Sequence, residues 1–435
     1  MKKAKLSAKF WVALTIFSLI GQVAWVVENM YFNVFIYKMF HASAADISAM
    51  VSASAISATL TTILIGALSD KIGKRKLFIC GGYILWGISI WSFSLIRIDV
   101  IDKWIPLSVS AATIGVSLVI IMDCVMTFFG SAANDACFNA WLTDVTDDTN
   151  RGAAEGINSM MPLVAILVVF GGFMGFDLNK ADSWTTIYQI IGITVFLLGV
   201  LGFFLIKDVP VDTSQNQNYF GNIFYGFRPS VIRKNKLFYI ILIAFAIFSI
   251  SIQIFMPYLI LYYNVSLGMD DYVLIMAPAV IVAAVVTAFY GRVYDKYRFK
   301  IAVMPAIGTL MLGYILLYFF KLTPLVFAGS LFMMSGYLMG MAVFGAVLRD
   351  YTPENRAGMF QGLRIVGQVL VPGIVGPWIG AKVLQNAKTI VNDDGTSSFI
   401  PNENIFLAAL IAACVIWLVL AVIFKLTNKS KGDEA

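Results

Sequence analysis

Twelve apolar stretches, each long enough to cross a bilayer as a helix, occupy most of this chain, and a short polar motif divides them into two sets of six. The motif GALSDKIGKRK, residues 66–76, follows the second stretch; GRVYDKYRFK, residues 291–300, follows the eighth. A motif repeated at corresponding places implies a duplicated half, and so predicts an all-α integral membrane protein of twelve helices in two pseudo-symmetric six-helix bundles. Spans are expected near 10–37, 46–69, 77–97, 109–142, 155–176, 185–206, 237–263, 272–294, 300–320, 324–349, 359–384 and 405–425. The halves would be residues 1–207 and 236–435, joined by a polar linker, 208–235, whose Arg228, Arg233 and Lys234 suit anionic headgroups. The overlong fourth span should bend, with Gly115 and Gly130 as the weak points.

Composition agrees with a bilayer as solvent. Hydrophobic residues make up 60% of the 435, charged residues only 13%, and the mean hydropathy is +0.83. The first apolar run is too long for a signal-peptide core and contains Glu28, Asn29 and Asn33, so it reads as a true helix. With the amino terminus inside, 24 of the 31 Lys and Arg fall in inner segments and seven in outer ones. The positive-inside rule therefore predicts a multi-pass protein of the cell membrane with both termini cytoplasmic. Cys80, Cys124, Cys137 and Cys414 lie in apolar stretches without paired spacing and read as buried packing residues. His41, the only histidine, reads as a solvated loop residue. No metal site, cofactor, nucleic-acid partner or catalytic constellation is expected, so the chain does not read as an enzyme.

Charges in the first motif suggest an inner gate. Gly66 permits close helix approach, Asp70 can accept hydrogen bonds at a neighbouring helix start, and Arg75 is the central cation of its basic run. The second copy keeps Asp295. A further repeat, LTDVTDDTNRGAAEG after span four and LRDYTPENRAGMFQG after span ten, places Asp144 and Arg151 in one half, Asp350, Glu354 and Arg356 in the other. Ion pairs among them would hold the inner side shut.

The polar residues inside the spans are the candidates for binding and coupling. A carboxylate near a helix centre costs about 2.5–3.5 kcal/mol on insertion scales, so Glu28, Asp123 and Asp135 should face a cavity or a partner and are candidates for carrying a coupling ion. At 100° per residue Gln22, Asn29 and Asn33 fall on one stripe of the first span with Trp25 beside it. An indole beside amides suits a sugar, which offers a C–H face and hydroxyls; the same amides could simply join helices. Asn134, Asn139, Asn158, Gln253 and Gln368 extend the candidate solute path. Tyr258, with Tyr262 and Tyr263, could stack on solute or anchor at the interface, and Arg364 could pair with Asp135 or Asp144 or snorkel to the membrane surface.

Gly66, Asp70, Gly73, Arg75 and Lys76, with the repeated loop after span eight, resemble the signature of the major facilitator superfamily. GQVAWVVENMYFNVFIY in span one and NDACFNAWLTDVTDDTNRG at the end of span four are similar to the glycoside, pentoside and hexuronide cation symporters, which include the melibiose permeases. The resemblance implies that spans one, four, seven and ten surround a solute cavity. It does not carry over those symporters' cation site: their acidic pair on helix two aligns with Ala58 and Thr62, their sugar-binding acid on helix one with Val23, and their acid on helix four with Asn134 or Asp135. The function expected is secondary active transport of a small polar solute, a sugar or glycoside, by alternating access with symport of a proton in preference to sodium, by a monomer. The alternatives are proton-coupled efflux of an amphipathic compound, for which GIVGPWIG at 373–380 is the nearest glycine-proline run, and a membrane receptor that does not transport.

Overall fold

A computed structural model describes residues 6–104, 110–147, 150–207, 225–352, 362–392 and 395–432. The chain forms two compact units, Met1–Phe220 and Gly221–Ala435, with the boundary inside the polar linker. Unit 1 contains α1 (Ala8–Phe40), α2 (Ala44–Ile72), α3 (Arg75–Leu95), α4 (Ala111–Val145), α5 (Arg151–Phe173) and α6 (Ala181–Leu205). Unit 2 contains α7 (Lys236–Ser266), a 47-residue helical stretch Val273–Phe319, α10 (Thr323–Asp350), α11 (Gly362–Leu384) and α12 (Asn404–Thr427). The long stretch is two spans, α8 (273–297) and α9 (299–319), because Arg298 at φ 61° and ψ −179° interrupts the helix. That makes twelve crossings, with boundaries within several residues of those expected. Apolar helices of this length, repeated along the chain, mark a multi-pass membrane protein.

Local signals explain where the helices begin and end. The Ser7 hydroxyl accepts from the Phe10 N–H at the start of α1, and Ser43 with Asp46 forms a capping box on α2. Gly73 ends α2 at φ 70°, where a side chain would be strained. Arg298 lies at the corresponding point of the repeated motif, seven residues after Gly291 as Gly73 is after Gly66. A residue at positive φ thus separates spans two and three in one half, and eight and nine in the other, although ψ differs, 19° at Gly73 and −179° at Arg298.

Glycines let paired helices approach. In unit 1 α3 packs along α6, where a Cβ on Gly87 would overlap the Phe196 amide and the Gly192 carbonyl. In unit 2 α9 packs along α10, where a Cβ on Gly313 or Gly336 would strike the backbone of Met333 or Leu310. Close backbone contact of this kind is the usual source of helix association in lipid. An aromatic cluster of Phe32, Phe35, Phe93, Trp184 and Tyr188 fills one end of unit 1. Beside it the Arg97 guanidinium binds Asp99 and Asp182, and the hydrogen bond from Arg97 holds the Asp99 carboxyl below its ordinary range.

Several details depart from expectation. A two-stranded antiparallel hairpin, Thr389–Val391 with Ser397–Phe399, lies between α11 and α12. Cys80 and Cys137 are buried, but Cys124 is only partly covered and Cys414 is exposed on α12 near the exposed Ile411 and Leu418. His41 terminates α1 in a left-handed conformation at φ 52°. Gly115 and Gly130 are seats for large side chains: their missing Cβ atoms make room for Phe40 and for Trp86 with Trp25. The irregularity of α4 begins one residue later.

Candidate functional site

Among the described residues four helices contain π turns, in which the N–H of residue i bonds to the carbonyl of i−5 and one surplus residue enters the turn. They are Val27–Tyr31 in α1, Ser131–Phe138 in α4, Tyr262–Ser266 in α7 and Val366–Leu370 in α11. The widened turn leaves carbonyls without their usual i+4 partner, and asparagines supply it. Asn29 Nδ2 donates to the Trp25 carbonyl at 2.8 Å, Asn33 Nδ2 to the Asn29 carbonyl at 3.0 Å and Asn139 Nδ2 to the Asp135 carbonyl at 3.1 Å. The surplus residue also rotates the remainder of the helix, so the single stripe expected for Gln22, Asn29 and Asn33 does not exist. Asn29 is exposed, Gln22 half-buried and Asn33 only 1% exposed.

Glu28 sits in the π turn of α1 and is 7% exposed. Its Oε1 accepts from Ser54 Oγ of α2 at 2.6 Å and Thr127 Oγ1 of α4 at 2.9 Å, while Oε2 has no hydrogen-bond partner. Asp123, one turn from Thr127 on the same face of α4, interacts electrostatically with Glu28, and its Oδ1 is likewise without a partner. Four residues beyond Thr127 comes Ser131, and four further Asp135, in the π turn of α4. Asp135 accepts from Ser131 Oγ at 3.0 Å and Asn134 Nδ2 at 3.2 Å. Asn134 Oδ1 in turn accepts from the buried Tyr83 hydroxyl at 2.9 Å, a contact that requires Gly21, since a Cβ there would lie 2.6 Å from both atoms. The Trp25 indole packs on Trp86 at 5.1 Å, and its buried N–H has no hydrogen-bond partner among the described residues.

Three carboxylates, Asp123, Glu28 and Asp135, thus lie at different heights along α1 and α4. No Lys, Arg or His pairs with any of them among the described residues. The sequence reading named these acids and Asn134 but missed Ser54, Tyr83, Thr127 and Ser131. The signal available was the four-residue spacing of Asp123, Thr127, Ser131 and Asp135, which puts acid and hydroxyl on one face of a helix.

The remaining candidates divide. Asn158 on α5 accepts from Ser18 of α1 at 2.7 Å and so joins two helices of unit 1. In unit 2 Gln253 is half-buried, its Cβ against Gly376. Tyr258, Tyr262 and Tyr263 are fully buried core residues, with the Tyr263 hydroxyl 2.6 Å from Ser330 Oγ. Neither an interfacial belt nor an open stacking face describes them, because the rings are packed inside unit 2. Arg364 reaches the Gln368 side-chain oxygen on its own helix at 3.2 Å, and Asp144, one of its expected partners, is engaged by Arg75 within unit 1.

The charged motif of unit 1 is a closed network. Arg75, buried at the start of α3, pairs with Asp70 of α2 and with Asp144 of α4 at 3.0 Å, and donates to Ser69 Oγ at 2.5 Å. Arg151 departs from the ion pair expected of it: among the described residues it binds the Thr143 and Thr146 carbonyls and the Thr146 hydroxyl, capping the end of α4. In unit 2 Asp295 is exposed without a described ion pair, and Asp350 accepts from the Tyr294 hydroxyl at 2.6 Å. Glu354 and Arg356 lie outside the described residues.

Comparison with known proteins gives one family. The family model of the Major Facilitator Superfamily matches residues 11–377. No curated protein matches the chain. Among solved structures, the nucleoside transporter NupG aligns with a TM-score of 0.68 at 15% identity, over 95% of this chain and 98% of that one. A bacterial homologue of the human lysosomal transporter Spinster, in an inward-facing and occupied conformation, gives 0.68 at 16%, over 98% of both chains. A D-xylose–proton symporter gives 0.65 at 14%, over 94% and 97%. At such identities the likeness is one of fold.

Proposed function

The chain belongs to the Major Facilitator Superfamily and is a membrane transporter of that fold, and from that premise we propose that it moves a small polar solute bearing a sugar ring by proton symport. The observation that carries the coupling is the set of three carboxylates in unit 1 without a basic partner. A buried charge left unpaired is costly, and binding a proton cancels the cost, so each of these acids gains from taking up a cation whenever the site closes. Glu28 and Asp135 are the coupling residues, since both ride in π turns and both are tied to hydroxyl or amide donors. The half-buried Trp25 ring and exposed Asn29 offer the stacking face and amide that a sugar suits. Nucleosides and xylose, the solutes named for two of the structural neighbours, share a hydroxyl-bearing sugar ring. Both termini are assigned to the cytoplasm by the charge distribution, which makes the Arg75 network the inner lock of unit 1.

The test uses vesicles containing the purified protein and a panel of labelled monosaccharides, glycosides and nucleosides. Glu28→Gln and Asp135→Asn keep shape and hydrogen-bonding capacity but cannot titrate. Proton-driven accumulation should fall at least about tenfold more than exchange at equal concentrations, the deficit expected when a step made only by the titrating form is lost. Full accumulation in both variants would end the assignment; absence of any proton-driven uptake in the unmodified protein would end proton symport itself.

A further inference from the structure

The buried phenol of Tyr83 on α3 has more acceptors within reach than it has hydrogens. Its oxygen lies 2.9 Å from Asn134 Oδ1 on α4 and 3.1 Å from the Phe17 carbonyl oxygen on α1. A phenol carries one hydrogen and two lone pairs, so it cannot donate fully to both. Tyr83 is 0% and Asn134 4% exposed, and bulk water therefore does not decide between them.

What decides is the acid on the other side of the amide. Asn134 Nδ2 donates to Asp135 Oδ1 at 3.2 Å, and Ser131 Oγ donates to Asp135 Oδ2 at 3.0 Å. Both bonds suit a carboxylate. Once a proton sits on Oδ1, the carboxyl O–H and the amide N–H would face each other as two donors, which make no bond. Half a turn of the amide about its Cβ–Cγ bond exchanges oxygen and nitrogen at nearly fixed positions. The Asp135 carboxyl then donates to Asn134 Oδ1, Asn134 Nδ2 donates to the Tyr83 oxygen, and the Tyr83 hydroxyl donates to the Phe17 carbonyl. Each of these groups keeps a partner in both arrangements, and no helix has to move. Gly21 provides the room: a Cβ there would lie 2.6 Å from Asn134 Oδ1 and from the Tyr83 oxygen, and 3.1 Å from Asn134 Cγ.

We propose that Tyr83 and Asn134 are positioning residues of the coupling step: the Asn134 amide turns when Asp135 takes up its proton, and the Tyr83 hydroxyl swings from α4 to the α1 backbone. The inference rests on Asp135 being a coupling residue. No proton travels along this chain. The only one gained is the coupling proton on Asp135, and the Tyr83 hydrogen stays on its own oxygen throughout. A fixed support would satisfy one charge state and orphan the other, at a cost to every cycle. The turning amide satisfies both, so Asp135 can exchange its proton inside a closed bundle. It also reports the charge of α4 to α1 at Phe17, about two turns before the Trp25 ring. The titratable groups that interact with Asp135 are Glu28 on α1 and Tyr83 itself on α3. The remaining Asp, Glu, Lys and Arg residues of α1, α2 and α3 lie in their end turns, and on α4 Asp144 and Asp123 stand nine and twelve residues from Asp135.

The test needs no solute. Infrared difference spectroscopy of the full-length protein in lipid, with protons as the only probe, reads both ends of the chain. On acidification the unmodified protein should gain a carboxyl band that Asp135→Asn lacks, together with a shift of a tyrosine C–O band that Tyr83→Phe lacks. In Asn134→Leu the Asp135 carboxyl band should persist and the tyrosine shift should vanish, because nothing then links acid to phenol. A shift caused by the charge of Asp135 acting through space would survive that substitution and overturn the proposal. A tyrosine shift retained in Asp135→Asn, or missing from the unmodified protein while the carboxyl band is present, would overturn it equally. Should Asn134→Leu fail to yield monodisperse protein, Asn134→Ala, smaller than the residue it replaces, carries the same expectation. Absence of the Asp135 carboxyl band at every pH would remove Asp135 from coupling and the turning amide with it, so failure of the coupling reading and failure of this inference give different spectra.

Discussion

The two halves repeat one helical plan but bury different chemistry. Unit 1 encloses Glu28 and Asp123 with Thr127, Ser131 and Asn134 around them, whereas the buried polar residues of unit 2 are serines such as Ser249, Ser251 and Ser330, set among fully buried tyrosines. At the motif turns the contrast continues: an ion-pair network centred on Arg75 in unit 1, a Tyr294–Asp350 hydrogen bond in unit 2. Duplication therefore preserved the backbone contacts that assemble a bundle and released the rest. Among the described residues the buried acids lie in one half.

If close backbone contact is what the halves truly share, Gly87→Val and Gly313→Val should be equally harmful. Each places a side chain against a neighbouring helix backbone, at a cost of about 3 kcal/mol or more, enough to abolish recovery of folded protein. Size-exclusion yield and thermal unfolding measure it; tolerance in one half would show that its helices can separate. A smaller difference separates the motif turns. Arg75→Ala leaves Asp70 and Asp144 facing each other and should cost about 2–3 kcal/mol, less than a fully buried pair because these side chains remain 25% and 26% exposed. Tyr294→Phe removes one hydrogen bond to Asp350 and should cost about 1–2 kcal/mol. Equal losses in the two melting curves would contradict the asymmetry. Smallest is the effect at the paired positive-φ positions: Arg298→Gly should stabilise by about 1 kcal/mol by relieving a side chain at positive φ, and Gly73→Ala should destabilise by about as much. Opposite signs are the point of that measurement.

Much of this architecture could be read in the sequence because its causes are local. Apolar runs specify spans, and the GALSDKIGKRK repeat specifies a duplicated half, with Gly73 already marking a left-handed turn. The acids of unit 1 were legible because a carboxylate in an apolar run demands a reason. Their partners were harder. Ser54 and Thr127 meet Glu28 only because α1, α2 and α4 come together, a long-range fact with no trace in any one segment. The error on Asn29 and Asn33 has a different origin: a uniform 3.6-residue period assumes an unbroken helix, and Val27–Tyr31 violates it. The asparagines four residues apart were the clue to that violation, since they bind the carbonyls it leaves behind. Tyr258 was misplaced for a simpler reason, that aromatic rings at the end of an apolar run suit a membrane interface and a protein core equally well.

A turn that holds one residue too many is also a reserve of motion. Tightening the Val27–Tyr31 turn to the ordinary pitch would pass the surplus residue along α1, twisting the helix beyond it by about 100° and shifting it by about 1.5 Å. Such a screw step needs no hinge and no loop. It would carry the Glu28 carboxyl away from Ser54 and Thr127 while the ends of α1 stay anchored, so that the side chain changes its audience within the bundle although the bundle keeps its outline.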